Sequence, residues 1–305
     1  HSDHARRGMG SYLCHEQSVP LLRHRLGQDI VVEGLSYGEE RVVNGVRFSL
    51  HPAGHVIGSA QVRVEHQGEV WVASGDYKTV DDGITPPFEP VRCNTFITEC
   101  TFGLPVYTWD DQRTVFDDID AWWRSNAANG VTSIISAYSL GKAQRVIANV
   151  DASIGPILTH GAVDECNAAI AAAGVVLPST TRIRPGMDKA LLKGALVVAP
   201  GSALNTPWSP ALRPYSTAIA SGWMQVRGWR RRSSVDRGFA LSDHADWVGL
   251  NAAVKATGAE RVVATHGYTD LFGRWLREQG LDARTERTLF TGEEVNTGEP
   301  ESTSD

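Results

Sequence analysis

Apolar and polar positions along the chain fall into two textures. In the first hundred residues the period is two, and the chain is read as β-structure. Residues 41–43 and 46–50 flank Asn44-Gly45, a pair suited to the positive φ angles of a two-residue hairpin turn. Residues 61–66 and 69–73 alternate in the same way around Gln67-Gly68, and residues 95–98 form a further short apolar strand. After about residue 110 the texture becomes alternating helix and strand. Val115, Phe116, Ile119, Trp122 and Trp123 fall at helical spacing over residues 113–128, with Gly130 as the stop, so both tryptophans are expected in the core. A buried-type strand at 131–135, a helix at 141–150, a strand at 156–158 and an Ala-rich helix at 163–173 ended by Gly174 follow. A strand at 196–199 precedes a Pro/Gly/Ser/Asn loop at 200–214. From Gly238 the pattern predicts strand, helix (246–257), strand (261–265) and helix (269–279). The fold class is therefore α/β (α+β): a β-rich part, a Rossmann-like α/β block, then α/β to the end, without internal repeats.

Composition bounds this picture. The 305 residues are 42% hydrophobic and 21% charged, an ordinary globular balance able to bury a substantial core. No run approaches the ~18 apolar residues of a membrane span, and no signal peptide is visible. The four scattered cysteines form no CxxC pair, which fits a reduced, cytoplasmic protein. The net charge of −6 disfavours a histone-like binder, but its distribution matters more than its sum. Residues 291–305 hold Glu293, Glu294, Glu299, Glu301 and Asp305 and no base, and read as an acidic disordered tail. Five arginines (Arg227, Arg230, Arg231, Arg232, Arg237) cluster against Asp236 alone. They are either a solvated loop or a phosphate grip, for which Arg is the better residue.

The histidines carry the chemical signal through their neighbours. His1-Ser2-Asp3-His4 opens the chain; His51, Gly54-His55, Ser74-Gly75-Asp76, Asp243-His244-Ala245-Asp246 and Thr265-His266-Gly267 follow. Each stands at the end of a predicted strand, where loops aim side chains into one cleft. Imidazole and carboxylate together are the ligand set of Zn²⁺ and related divalent ions. Two such ions ~3.5–4 Å apart clamp the attacking and leaving oxygens of a phosphodiester displacement. Blander readings stand beside this one: His15, His24 and His66 as structural or surface residues, Asp76 as a turn residue, Glu99 as an edge charge.

The order of these segments resembles a known family. His1–His4 is similar to the end of the HxHxDH motif of the metallo-β-lactamase superfamily. Gly54-His55…Gly58-Ser59-Ala60, Gly75-Asp76-Tyr77, Thr98-Glu99-Cys100-Thr101-Phe102-Gly103, Ser242-Asp243-His244-Ala245-Asp246 and His266-Gly267 resemble its β-CASP nuclease branch. More narrowly, Thr101-Phe102-Gly103-Leu104-Pro105, Leu140-Gly141-Lys142-Ala143-Gln144-Arg145, His160-Gly161-Ala162-Val163 and Arg237-Gly238-Phe239…Leu241-Ser242-Asp243-His244-Ala245-Asp246-Trp247 resemble the bacterial ligase-associated DNA exonucleases, relatives of the Artemis-type enzymes. The resemblance covers nearly the whole chain except the tail. It implies a metallo-β-lactamase αβ/βα sandwich (residues 1–105 and 236–290) interrupted by an inserted β-CASP α/β domain (106–235), with the tail at 291–305.

The resemblance also implies two Zn²⁺ ions, with Mn²⁺ suited to the same ligands. His1 and His55 hold one; Asp3, His4 and His266 hold the other; Asp76 bridges. His51 competes with His55, and the glycines around His55 favour it. A hydroxide acidified by the metals attacks phosphorus, and His244 paired with Glu99 donates the proton to the leaving 3′-oxygen. Asp246 is an expected helix N-cap. Ser139, Gly141 and Lys142 open a helix after a strand, as a phosphate site or as an ordinary cap with a solvated Lys. His160, Ser221, Arg230 and Arg231 complete the expected substrate contacts, while Trp223 suits the cleft or the core equally. The implied activity is exonucleolytic hydrolysis of DNA in repair, functionally linked to an ATP-dependent DNA ligase. His266 stands where RNA-cleaving β-CASP enzymes carry His and eukaryotic Artemis-type enzymes carry Val. An RNA-processing nuclease of the mRNA 3′-end type is therefore the alternative, and a catalytically silent nucleic-acid-binding scaffold the second. The first motif His should lie two residues before His1, so the chain is expected to be N-terminally truncated, with weakened metal content and activity.

Overall fold

The computed structural model describes residues 5–204, 206–232 and 234–286. The predicted alternation of strands and helices is present. In chain order the strands are β1 (Tyr12–His15), β2 (Val32–Leu35), β3 (Glu40–Val43), β4 (Val46–Pro52), β5 (Ala60–His66), β6 (Glu69–Ala73), β7 (Thr95–Cys100), β8 (Thr132–Ser136), β9 (Ile157–Thr159), β10 (Thr181–Arg182), β11 (Leu196–Ala199), β12 (Tyr215–Ala220), β13 (Arg237–Phe239), β14 (Arg261–Gly267) and β15 (Asp282–Thr285). The helices are α1 (Val19–Leu26), α2 (Gln112–Ala128), α3 (Lys142–Asn149), α4 (Gly161–Ala172), α5 (Gly201–Leu204), α6 (Arg227–Arg232), α7 (Trp247–Thr257) and α8 (Thr269–Glu278).

Two compact units share these elements. Among the described residues, one is built from the chain up to Thr108, Cys166–Val176 and residues 243–286; the other from Trp109–Glu165 and Leu177–Ser242. The first carries a seven-stranded sheet of order β15-β14-β7-β6-β5-β4-β3. Its β3–β6 part is an antiparallel meander; β6, β7, β14 and β15 run parallel. Both predicted hairpins close with positive φ at each turn residue: Asn44 (51°) and Gly45 (80°), Gln67 (50°) and Gly68 (83°). Val72, Phe96, Val262 and Ala264 pack one face of this sheet against Leu250 and Val254 of α7 and Phe272 and Leu276 of α8. β1 and β2 form a separate parallel pair.

The second unit holds a six-stranded sheet of order β10-β9-β11-β8-β12-β13, parallel throughout. Parallel strands are covered on both faces, and β8, β9 and β11 are buried along their whole length. Alternation sends Ile135, Leu196 and Val198 to one core, with Phe116, Ile119, Trp123 and Val146, and Ile134, Leu158 and Val197 to the other. Trp122 and Trp123 are core, and each indole N–H is satisfied: Trp123 by the Gly194 carbonyl at 2.9 Å, Trp122 by Ser216 Oγ at 3.2 Å.

Several sequence expectations are corrected. Within the β-rich first hundred residues lies α1, whose Leu21, Leu22 and Leu26 are buried while Arg23, His24 and Arg25 face out. The loop at 200–214 contains α5 and a 3₁₀ turn at Ser209–Leu212. The Arg-rich stretch is helical over α6, where the side chains of Arg230 and Arg232 are outside the description. β10, β12 and β15 were unexpected, since Thr-Arg, Tyr-Ser-Thr-Ala-Ile-Ala and Asp-Ala-Arg-Thr carry no apolar run of strand length. The acidic tail, His1, Asp3 and His4 lie outside the described residues.

Candidate metal and catalytic site

Two loops after strands, the end of β7 and the segment leading into α7, all in the first unit, supply the site. His55 follows β4 in a turn that needs Gly54 at φ 71°, where a Cβ would stand 2.3 Å from the Lys78 carbonyl oxygen. Asp76 follows β6, Glu99 lies near the end of β7, and His244 precedes α7. Asp246 caps α7, its Oδ1 accepting from the Gly249 N–H at 2.7 Å, which sets the exit of the His244 loop.

Ligand atoms of His55, Asp76 and His244 converge within 4.8 Å of one another. Both imidazoles are oriented by partners that can only accept. His55 Nδ1 donates to the Asp243 carbonyl at 2.7 Å; His244 Nδ1 donates to both Glu99 oxygens at 2.9 Å. Each ring therefore carries a proton on Nδ1 and turns Nε2 toward the site; in His55 this is the arrangement in which a histidine ligates a metal. Burial holds the His55 pKa well below the ordinary imidazole value, and His244 lowers it further, against the opposing pull of Asp76 and Asp243. The neutral Nε2 lone pair thus faces Asp76 Oδ2 at 3.9 Å, acceptor toward acceptor. A divalent cation relieves that opposition, so the donor set fits the metal expected from the sequence.

Glu99 is buried and held by the chain itself: Oε1 accepts from the Tyr77 N–H at 2.8 Å and Oε2 from the Thr101 N–H at 3.3 Å. It is not an edge charge. The Tyr77 carbonyl accepts from the Ala245 N–H at 2.7 Å, tying the Asp76 loop to the His244 loop. His51 lies apart from this cluster, one ring nitrogen 3.1 Å from Glu89 and the other 3.0 Å from Ser49 Oγ. His266 is the extra residue of a β-bulge: Thr265 pairs with Glu99 and Gly267 with Cys100, leaving His266 between them at φ 53°. Its carbonyl accepts from Cys100 Sγ at 2.9 Å, and the convergent trio does not include its ring. His15 is buried and stacked on Tyr37, whereas His24 and His66 are exposed.

The expected substrate contacts lie in the second unit. Lys142 is fully buried with Nζ 4.8 Å from the Tyr138 ring centre, so a solvated lysine is excluded. Ser139 and Gly141 are engaged by Gln144, which accepts from the Gly141 N–H at 2.7 Å and donates to the Ser139 carbonyl at 2.9 Å. His160 caps α4, Nδ1 accepting from the Ala162 N–H at 3.1 Å, with Trp208 edge-on at 5.0 Å. Ser221 Oγ accepts from the Trp223 N–H at 3.4 Å, and the half-buried Trp223 ring lies 5.7 Å from that of Trp229. Arg231 is exposed. Sequence reasoning missed Lys78, which donates to the His55 carbonyl and pairs with Asp82, and the Asp243 carbonyl, which accepts from the His55 ring. No motif signals them, because a carbonyl contact leaves no residue-type signature.

No family model matches the chain. It is 30% identical over 286 residues, 93% of its length, to the "Probable DNA ligase" of Opitutus terrae, of which it spans 28%. It is 29% identical over 122 residues to the "Cleavage and polyadenylation specificity factor 73" of Drosophila melanogaster, 39% of this chain and 18% of that protein. The "RNase J-like protein" of Methanocaldococcus jannaschii is 26% identical over 122 residues, 38% of this chain and 28% of that protein. The chain thus spans under a third of the length of each of these relatives. No helix among the described residues is long and apolar enough to cross a membrane. These relatives point to the metallo-β-lactamase/β-CASP nuclease superfamily, and the mixed α/β fold with its His/Asp cluster is consistent with it.

Proposed function

We propose that the chain is a metal-dependent DNA exonuclease that hydrolyses phosphodiester bonds during repair, working beside a DNA ligase. The observation that carries this reading is the convergence of His55, Asp76 and His244, with both imidazoles fixed through Nδ1. Similarity over 93% of the chain to a probable DNA ligase supports the DNA assignment. A divalent ion bound there, Zn²⁺ or Mn²⁺, supplies charge that polarises a phosphoryl oxygen and acidifies water. Asp76 and His55 serve as its ligands, and His1, Asp3, His4 and His266 belong to the same proposal as ligands completing a two-ion site. His244 holds its proton at Nε2 for the leaving 3′-oxygen, and Glu99 stabilises the ring while it carries that charge. Ser221, His160, Arg230 and Arg231 grip the strand.

The test is incubation of the chain with matched end-labelled DNA and RNA strands, with and without chelator, alongside Asp76→Asn. Chelator-sensitive shortening of DNA from one end, lost in Asp76→Asn, is expected. Faster loss of RNA transfers the assignment to RNA processing, a reading favoured by the names of the relatives matching 38–39% of the chain. An Asp76→Asn variant as active as its parent removes the metal site from the chemistry.

A further inference from the structure

Residue 78 touches all three residues of the turn that presents His55. The Lys78 N–H donates to the Ala53 carbonyl at 3.1 Å, its own carbonyl presses against Gly54, and its Nζ donates to the His55 carbonyl at 3.2 Å. The ammonium is 1% exposed, and its charge is met by Asp82 Oδ2 at 2.6 Å, a carboxylate 3% exposed. Asp82 is itself fixed: Oδ1 accepts from the Ile84 and Thr85 N–H groups at 3.0 and 2.8 Å, and Oδ2 from Thr85 Oγ1 at 2.9 Å.

A buried ion pair is a poor device for stability alone, since desolvation offsets the attraction and an apolar pair of similar volume serves as well. What an apolar pair cannot do is donate a charged hydrogen bond to the His55 carbonyl. His55 is therefore gripped from two sides, backbone by Lys78 and ring by Asp243. Lys78 also follows Tyr77, whose N–H and carbonyl engage Glu99 and Ala245. We propose that Lys78, with Asp82 as its counter-ion, is a positioning residue that holds the His55 and Asp76 loops at metal-binding distance. This inference rests on the metal-site reading above.

The experiment titrates Co²⁺ into the parent chain, Lys78→Arg and Lys78→Met/Asp82→Asn, following visible absorption and thermal melting. The double variant removes both charges, so no bare ion is left buried. It is expected to stay folded while Co²⁺ affinity falls roughly 10- to 100-fold and the absorption band changes, with Lys78→Arg recovering most of the affinity. A folded double variant with the parent's affinity and spectrum overturns the proposal and leaves the metal site standing. A parent that takes up no Co²⁺ overturns both. Should the double variant not fold, the ¹⁵N signal of the Lys78 ammonium in the parent decides: a shift in step with Zn²⁺ addition supports the proposal, and an unmoved signal overturns it.

Discussion

Replacing Glu99 by Gln isolates what the buried carboxylate does for His244. The carboxylate accepts from three donors, the Tyr77 and Thr101 amides and His244 Nδ1, and is itself 1% exposed, so solvent screening is negligible. A carboxylate offers about four acceptor sites and no donor, whereas Gln offers one oxygen and an NH₂. Whichever way the amide is turned, the NH₂ confronts one of the two backbone N–H groups. The His244 bond falls from charge-assisted to neutral, a loss of about 1 kcal/mol, and one buried N–H loses its partner, costing about 1–3 kcal/mol. The sum is about 2–4 kcal/mol. At 1.36 kcal/mol per tenfold, even half of this expressed at the His244 ring lowers turnover by about 5- to 30-fold. The assay pairs thermal melting with turnover on an end-labelled DNA strand under saturating Zn²⁺. A Glu99→Gln variant that melts and turns over like its parent refutes the reasoning, because a neutral amide would then hold His244 equally well.

Three further outcomes are expected. Gly54→Ala puts a methyl 2.3 Å from the Lys78 carbonyl at φ 71°, so it should destabilise by at least the ~1–2 kcal/mol of a left-handed L-residue and weaken Zn²⁺ binding, as isothermal titration would show. Burial lowers the pKa of His15, so as pH falls below about 6.5 the unfolded chain takes up the proton first. His15 thus contributes fully above that pH and loses its contribution on acidification, and the parent should lose more melting temperature between about pH 7.5 and 5 than His15→Phe; parallel slopes would contradict this. Trp123→Phe leaves the buried Gly194 carbonyl without its 2.9 Å donor, at a cost of about 1–3 kcal/mol readable in urea unfolding.

What was legible in the sequence is what nearest neighbours decide. Both hairpins follow from two-residue turns of Asn-Gly and Gln-Gly type, and the Asp246 cap from its place before an apolar period. Elements fixed by partners rather than composition were not legible. β12, with three half-buried polar or aromatic residues at its start, is a strand because β8 and β13 flank it, and β15 because β14 offers its edge. Lys142 shows the same limit in a side chain: its type suggests solvent, and its position on α3 buries it.

The candidate site divides along this line. Residue types capable of ligation were visible as clusters at strand ends, but which nitrogen faces the site depends on atoms far away in the chain. The Asp243 carbonyl that orients His55 lies 188 residues from it, and Glu99 lies 145 residues from His244. His51 has the same ring as His55, but its nitrogens lie against Ser49, two residues away on the same strand, and Glu89, 38 residues away, a contact that its sequence neighbours do not announce. The orientation of each imidazole in the candidate site is therefore set by the acceptors behind it, the Asp243 carbonyl and Glu99, as much as by the histidines themselves.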